Sequence, residues 1–216
     1  GDAQIGEIYS QLKWIRERFE RIDVLLVSGG ANNLKWFDLI KDCVLSIPGI
    51  PCSQDIMLEE VMSDSVDKLP DFYVGLDRLI RCGDIFKTAC TYDPDPTIKN
   101  GDVPAENQVP TVVAIAEYFD PTHDRFGTFP SLTTTGTKHC ATTAHAALIS
   151  PKEWEFLYDN LVVPLNQEVK AAAVAHSWTH VGEIADALLT HGYCAGTILG
   201  VRSPSWVVGV GESLGN

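Results

Sequence analysis

The stretch Ile22 to Phe37, IDVLLVSGGANNLKWF, constrains the fold of this chain more than any other. Ile22 to Ser28 is mostly branched and apolar, and it reads as a buried strand. Gly29, Gly30, the small Ala31 and two amides, Asn32 and Asn33, follow, and then an amphipathic run begins. The order is strand, tight turn, helix start. Glycines at the tip allow backbone angles closed to other residues and let another group approach closely. In open α/β sheets the carboxyl edge of the strands is where ligands bind. A side-chain amide held there can donate to a developing oxyanion. The plainer alternative is an ordinary strand-to-helix turn with Asn33 as the N-cap.

The rest of the chain is compatible with an α/β arrangement. Residues 4–20 place Ile5, Ile8, Leu12, Ile15 and Phe19 at helical spacing, with Arg16, Arg18 and Glu20 expected on the opposite side. A helix is expected over 33–46, carrying Leu34, Phe37, Ile40 and Val44 and stopped by Pro48 and Pro51. Further helices are expected over 55–62 and 67–82, and 84–109 reads as a long surface loop. Val109 to Phe119 is almost continuously apolar, as a parallel strand covered on both faces should be. Asp120-Pro121-Thr122-His123-Asp124 makes a polar turn after it, and 127–148 reads as a functional or capping loop.

At Ser150-Pro151-Lys152-Glu153 the helix-start signals agree: Ser as N-cap, Pro first in the helix, Glu three on. That helix runs to about Ala175 and should kink at Pro164. His176 to Val181 reads as a short strand, 182–190 as a helix, His191-Gly192 as its C-terminus, and Trp206 to Val210 as a last strand. Strands alternating with helices predict one α/β domain over 1–216 with a mainly parallel sheet.

Composition narrows the function. Over 216 residues the net charge is −13, which argues against nucleic acid and against a polybasic membrane contact. No apolar run is long enough for a transmembrane helix, and no leader-like segment opens the chain. The six cysteines, Cys43, Cys52, Cys82, Cys90, Cys140 and Cys194, include no C-x-x-C pair, so a zinc or redox site is not expected. An even, widely spaced set fits disulfides in an exported protein; six buried thiols in a cytosolic protein is the alternative. A bridge from Cys43 to Cys52 would close a short Pro-Gly loop, and one from Cys82 to Cys90 would pin the start of the long loop.

With these pieces placed, the chain resembles the SGNH (GDSL-like) ester hydrolase family, especially its secreted bacterial members. The carrying residues are Asp23 to Phe37, DVLLVSGGANNLKWF, followed by Cys43; the strand VVAIAEYFDPT; and the late segment HGYCAG. Gly30-Ala31-Asn32 fits the family's G-x-N, and Asn33 stands where the family usually has Asp. The resemblance implies a three-layer α/β sandwich of flavodoxin-like type and hydrolysis of carboxylic esters by a Ser-His-Asp mechanism without cofactor or metal. It implies Asn32 and Gly30 in the oxyanion hole, with Asn33 and Trp36 beside the substrate, a small-molecule or lipid ester. It also implies a secreted or extracytoplasmic protein. Proximity and the resemblance together select Cys43–Cys52, Cys82–Cys90 and Cys140–Cys194 from the possible pairings.

The family's nucleophile sits in a G-D-S block after a first strand, and its acid and base in a later D-x-x-H block. The chain opens at Gly1-Asp2-Ala3 and stops at Asn216 soon after Trp206 to Val210. It is therefore expected to correspond to the middle of such a domain. Two local matches stand in for the missing blocks. Asp120-Pro121-Thr122-His123 matches D-x-x-H, but it follows a central strand where the family has a structural Asp-Pro edge. Gly211-Glu212-Ser213-Leu214 is close to G-D-S-L, and a circular permutation would make Ser213 the nucleophile, three residues from the chain end where a rigid turn is hard to build. The competing class is a catalytically incomplete binding or structural domain on the same scaffold. His139 and His145 lack metal-site spacing. His176, His180 and His191 read as structural, and Glu117 with Asp120 could pass for a glycosidase pair.

Overall fold

In the computed structural model of the chain, residues 2–19, 22–31, 33–34, 39, 43, 51–82, 109–124, 126–129 and 150–192 are described. Helix α1 spans Asp2–Arg18 and strand β1 Val24–Val27. A 3-10 turn at Cys52–Gln54 leads to α2, Ile56–Asp67, and α3, Leu69–Cys82. Strand β2 is Val112–Ala116. Then α4, Pro151–Leu157, passes through a π-helical turn, Tyr158–Val162, into α5, Val163–Ala175. Strand β3, Thr179–Val181, and the short α6, Ile184–Leu188, follow.

The three strands are parallel, in the order β1-β2-β3, with Val24 opposite Val112 and Ala114 opposite Thr179. This confirms an α/β fold built on a parallel sheet. Because side chains alternate along a strand, Val27 and Ile115 share one face. Against that face pack Leu12 of α1, Leu69, Phe72, Leu76, Leu79 and Ile80 of α3, and Leu165 and Val169 of α5. Val24, Leu26, Val112 and Val181 lie on the other face; Leu26 is 67% exposed. A second cluster joins Leu58 and Met62 of α2 to Trp154 and Leu157 of α4 around Cys43 and Cys52.

Local chemistry explains the elements. Asp55 caps α2 by accepting from the N–H groups of Met57 at 3.0 Å and Leu58 at 3.3 Å. The expected capping box on α4 is formed: the Ser150 hydroxyl accepts from the Glu153 N–H and the Glu153 carboxylate from the Ser150 N–H. The same carboxylate accepts from the N–H of Cys52 at 3.1 Å, tying α4 to the disulfide loop. Cys43 and Cys52 are bridged, with Cα atoms 4.9 Å apart. Cys82 is also disulfide-bonded; its partner, like Cys90, Cys140 and Cys194, lies outside the described residues.

Three expectations need correction. Arg16 is not on the solvent face of α1. It is buried, and its guanidinium donates to the carbonyl of Ile80 at 2.7 Å. Carbonyls in the last turn of a helix lack intrahelical partners, and a cation suits that end of the dipole. Burial lowers the Arg16 pKa, with Tyr9 acting in the opposite direction. Phe19 lies beyond the end of α1 and is exposed, edge-on to Trp14. The irregularity expected at Pro164 sits one turn earlier, over Tyr158–Val162, where the Val163 N–H reaches back to the Tyr158 carbonyl. Pro164 has no N–H to offer the ladder, and the widened turn before it lets α5 restart with proline in its first turn.

Candidate active site at the carboxyl edge of the sheet

Three parallel strands end at one edge. There the turn after β1 (Ser28 to Ala31), the segment after β2 (Glu117 to Asp124) and the start of α6 come together. The Gly-Gly turn is closely packed. Gly30 is buried with φ +124°, and a Cβ there would lie 2.5 Å from the Tyr73 hydroxyl. A Cβ on Gly29 would meet the Phe72 ring at 3.2 Å. Gly30 is therefore required by its backbone angle and by the close Tyr73 hydroxyl, while a side chain at Gly29 would need the Phe72 ring to shift slightly.

Two tyrosines bracket this turn. The Tyr73 hydroxyl donates to the Gly29 carbonyl at 2.9 Å, and the Tyr118 hydroxyl accepts from the Ala31 N–H at 3.3 Å. Tyr118 is itself held by Asn166 of α5, which accepts from its N–H at 2.8 Å and donates to its carbonyl at 2.9 Å. Burial, followed by the neighbouring Tyr118 and Glu168, raises the Tyr73 pKa far above that of an ordinary phenol, so the hydroxyl remains a donor. Ala31 has committed its N–H to Tyr118. Among the described residues the N–H of Gly30 has no acceptor. Asn33 presents a buried Oδ1 that accepts no hydrogen bond, so it does not act as the N-cap. Asn32 and Trp36 lie outside the described residues.

After β2 the chain forms a compact polar corner. Asp120 accepts from the N–H of Thr122 at 2.8 Å and from its hydroxyl at 2.6 Å, and its other oxygen is hydrogen-bonded to Nδ1 of His123. Asp120 is 1% exposed and His123 8%. The imidazole lies against the ring of Phe129, with centroids 4.5 Å apart, and edge-on to Tyr158 at 5.1 Å. Burial, then Asp120, Asp159, Asp186 and Glu117, raise the Tyr158 pKa. Asp124 accepts from the Phe126 N–H and from both donors of Thr128, which closes the next turn.

A carboxylate on Nδ1 is the arrangement that orients a catalytic histidine. No described serine or cysteine hydrogen-bonds Nε2 of His123, and Ser213 and Gly211 lie outside the described residues. Glu117 is committed elsewhere, accepting from the N–H groups of Ile184 and Ala185 at the start of α6. With Asp120 also committed, the two do not stand as a free carboxylate pair.

His176 ends α5 rather than lying on β3, with Nδ1 3.5 Å from Asp77. His139 and His145 lie outside the described residues. Among the described residues the one group with metal-site spacing is Cys43, Cys52 and Glu153. Its sulfurs form the disulfide and are not thiolates able to hold an ion.

Sequence reasoning missed Tyr73, Tyr118 and Asn166. Tyr73 sits in the apolar stripe of α3 and reads as core. The signal for Asn166 was an amide between the buried Leu165 and Val169, where a polar group needs a partner. In comparisons with known proteins, no family model, no curated protein and no solved structure matches this chain.

Proposed function

We propose that this chain is a carboxylic ester hydrolase domain of SGNH-like type, with the Gly30–Asn32 turn forming its oxyanion side. The observation that carries this reading is the N–H of Gly30, a buried residue at the carboxyl edge of a parallel sheet, which has no acceptor among the described residues. A buried N–H without a partner is costly in a folded protein unless a ligand oxygen completes it. Asn32 follows two residues later and would supply the second donor.

The chemistry is that of a serine hydrolase. A hydroxyl attacks the ester carbonyl, a histidine takes its proton and returns it to the leaving alcohol, and a carboxylate orients that histidine. Asp120 and His123 are the described pair with the geometry for the last two roles. Substrate, a small-molecule or lipid ester, would lie over the edge between the Gly30 turn and the Asp120 corner, beside Asn33 and Trp36. A three-layer sandwich is part of the proposal. It is supported by the apolar face of Val24, Leu26, Val112 and Val181, which a second helical layer would cover, as parallel sheets require. A secreted setting is supported by the Cys43–Cys52 bridge.

The test is hydrolysis of p-nitrophenyl acetate and butyrate, with labelling by a fluorophosphonate probe. Turnover is expected, with Asn32→Ala slower by about 100- to 1,000-fold. Equal loss in His123→Gln would assign the base, whereas full activity in that variant would make Asp120–His123 a structural corner. The second reading, a binding domain without catalysis, is favoured by the absence of a described nucleophile on His123. Neither turnover nor labelling would decide for it.

A further inference from the structure

The turn that carries the proposed oxyanion donors is not held by its own strand. β1 delivers Gly29 and Gly30 to the edge, the Leu34 N–H closes the turn locally on the Gly30 carbonyl at 3.1 Å, and two further hydrogen bonds come from other elements. From α3, the Tyr73 hydroxyl holds the Gly29 carbonyl. From the end of β2, the Tyr118 hydroxyl holds the Ala31 N–H. These bonds reach the peptide groups on either side of Gly30, whose φ of +124° sets the direction of the chain into Ala31. Tyr118 is in turn clamped by one side chain of α5, since Asn166 satisfies both its N–H and its carbonyl. A residue just past a strand end ordinarily loses its ladder partners, and Asn166 replaces them.

We propose that Tyr118 is a positioning residue for the Gly29–Ala31 turn, from which the chain enters the proposed donor Asn32. It transmits the placement of β2 and α5 to the Gly30–Ala31 peptide. The catalytic consequence rests on the hydrolase reading above; the structural consequence does not. Removing the hydroxyl leaves the Ala31 N–H without its acceptor, and the peptide is then held only through the Gly30 carbonyl, which accepts from the Leu34 N–H at 3.1 Å. Oxyanion donors act only when aimed at the position the oxyanion will take. Loss of aim should therefore lower kcat and leave ground-state binding nearly unchanged.

The experiment pairs Tyr118→Phe with Asn166→Asp, which keeps an acceptor for the Tyr118 N–H but loses the donor to its carbonyl. Two readouts are taken on the full chain: amide hydrogen exchange at Ala31, with Ile115 in β2 as the internal reference, and kcat and KM on p-nitrophenyl acetate. In Tyr118→Phe, exchange at Ala31 is expected to rise at least about 10-fold relative to Ile115, with kcat down about 10-fold and KM within about 2-fold. Asn166→Asp should move both in the same direction by less, and it serves as the test if Tyr118→Phe does not fold. Unchanged exchange at Ala31 in the folded variant overturns the proposal, and so does faster exchange with unchanged kcat in an active enzyme. If the wild-type chain turns over no ester, the hydrolase reading fails by itself, and exchange at Ala31 alone decides whether Tyr118 positions the turn.

Discussion

Burial of Tyr73 has a consequence for pH. Its phenol is raised above its ordinary value of 10.0, first by desolvation and then by Tyr118 and Glu168. A folded molecule therefore keeps a proton that the unfolded chain releases once pH passes that value. The stability contributed by this group is complete below about pH 10 and declines above it, by up to about 1.4 kcal/mol per pH unit. Urea midpoints are expected to fall beyond about pH 10. Tyr73→Phe should lower the plateau by about 1 kcal/mol, the net worth of its hydrogen bond to Gly29, and should make the alkaline decline shallower. Parallel alkaline limbs in the two proteins would refute the assignment. Arg16 shows the same limit on reading residues singly. Its helical position placed it with the charged face, yet the end of α3 lies above that position and takes the guanidinium.

Elements were legible where the signal is local. The Ser150 capping box was written in four consecutive residues, and the structure forms it. The end of the last short helix was legible only in part. His191 donates its N–H to the Leu188 carbonyl at 2.8 Å, as a helix end should. Gly192, expected as the glycine that ends the helix, is required by close approach, since a Cβ there would lie 2.2 Å from the His123 carbonyl oxygen and 3.0 Å from that of Pro121. Both neighbours are backbone and cannot swing aside. Gly192→Ala is expected to cost about 2–3 kcal/mol. Gly182→Ala, whose Cβ would meet only the movable His180 ring at 3.1 Å, should cost under about 1 kcal/mol. Equal losses in urea unfolding would show that the Asp120–His123 corner does not pack rigidly on this turn.

At the scale of the molecule, the Cys43–Cys52 bridge closes a short loop beside α2 and α4. Its loss through the paired Cys43→Ser and Cys52→Ser changes is expected to cost about 2.5 kcal/mol by the chain-entropy argument. Thermal unfolding under oxidising conditions, compared with wild type, measures it; an unchanged transition would mean that the loop is held by Glu153 and the surrounding core alone. The sequence by itself determined the class of fold, because an apolar run ending in Gly-Gly and an apolar run ending in Asp-Pro each specify a parallel strand through local properties, although the structure buries only one face of those strands, leaving Val24 and Leu26 exposed on the other. It also determined the Ser150 capping box and the short disulfide, whose partners lie close along the chain. Only the tertiary structure decided that β2 lies between β1 and β3. That order brings Tyr118 to Ala31 and Asn166 to Tyr118, across 87 and 48 residues of chain. Hydrogen bonds over such separations leave no periodicity or spacing to read. They exist because three strands end at one edge, where each strand's last peptide groups must find partners in another element.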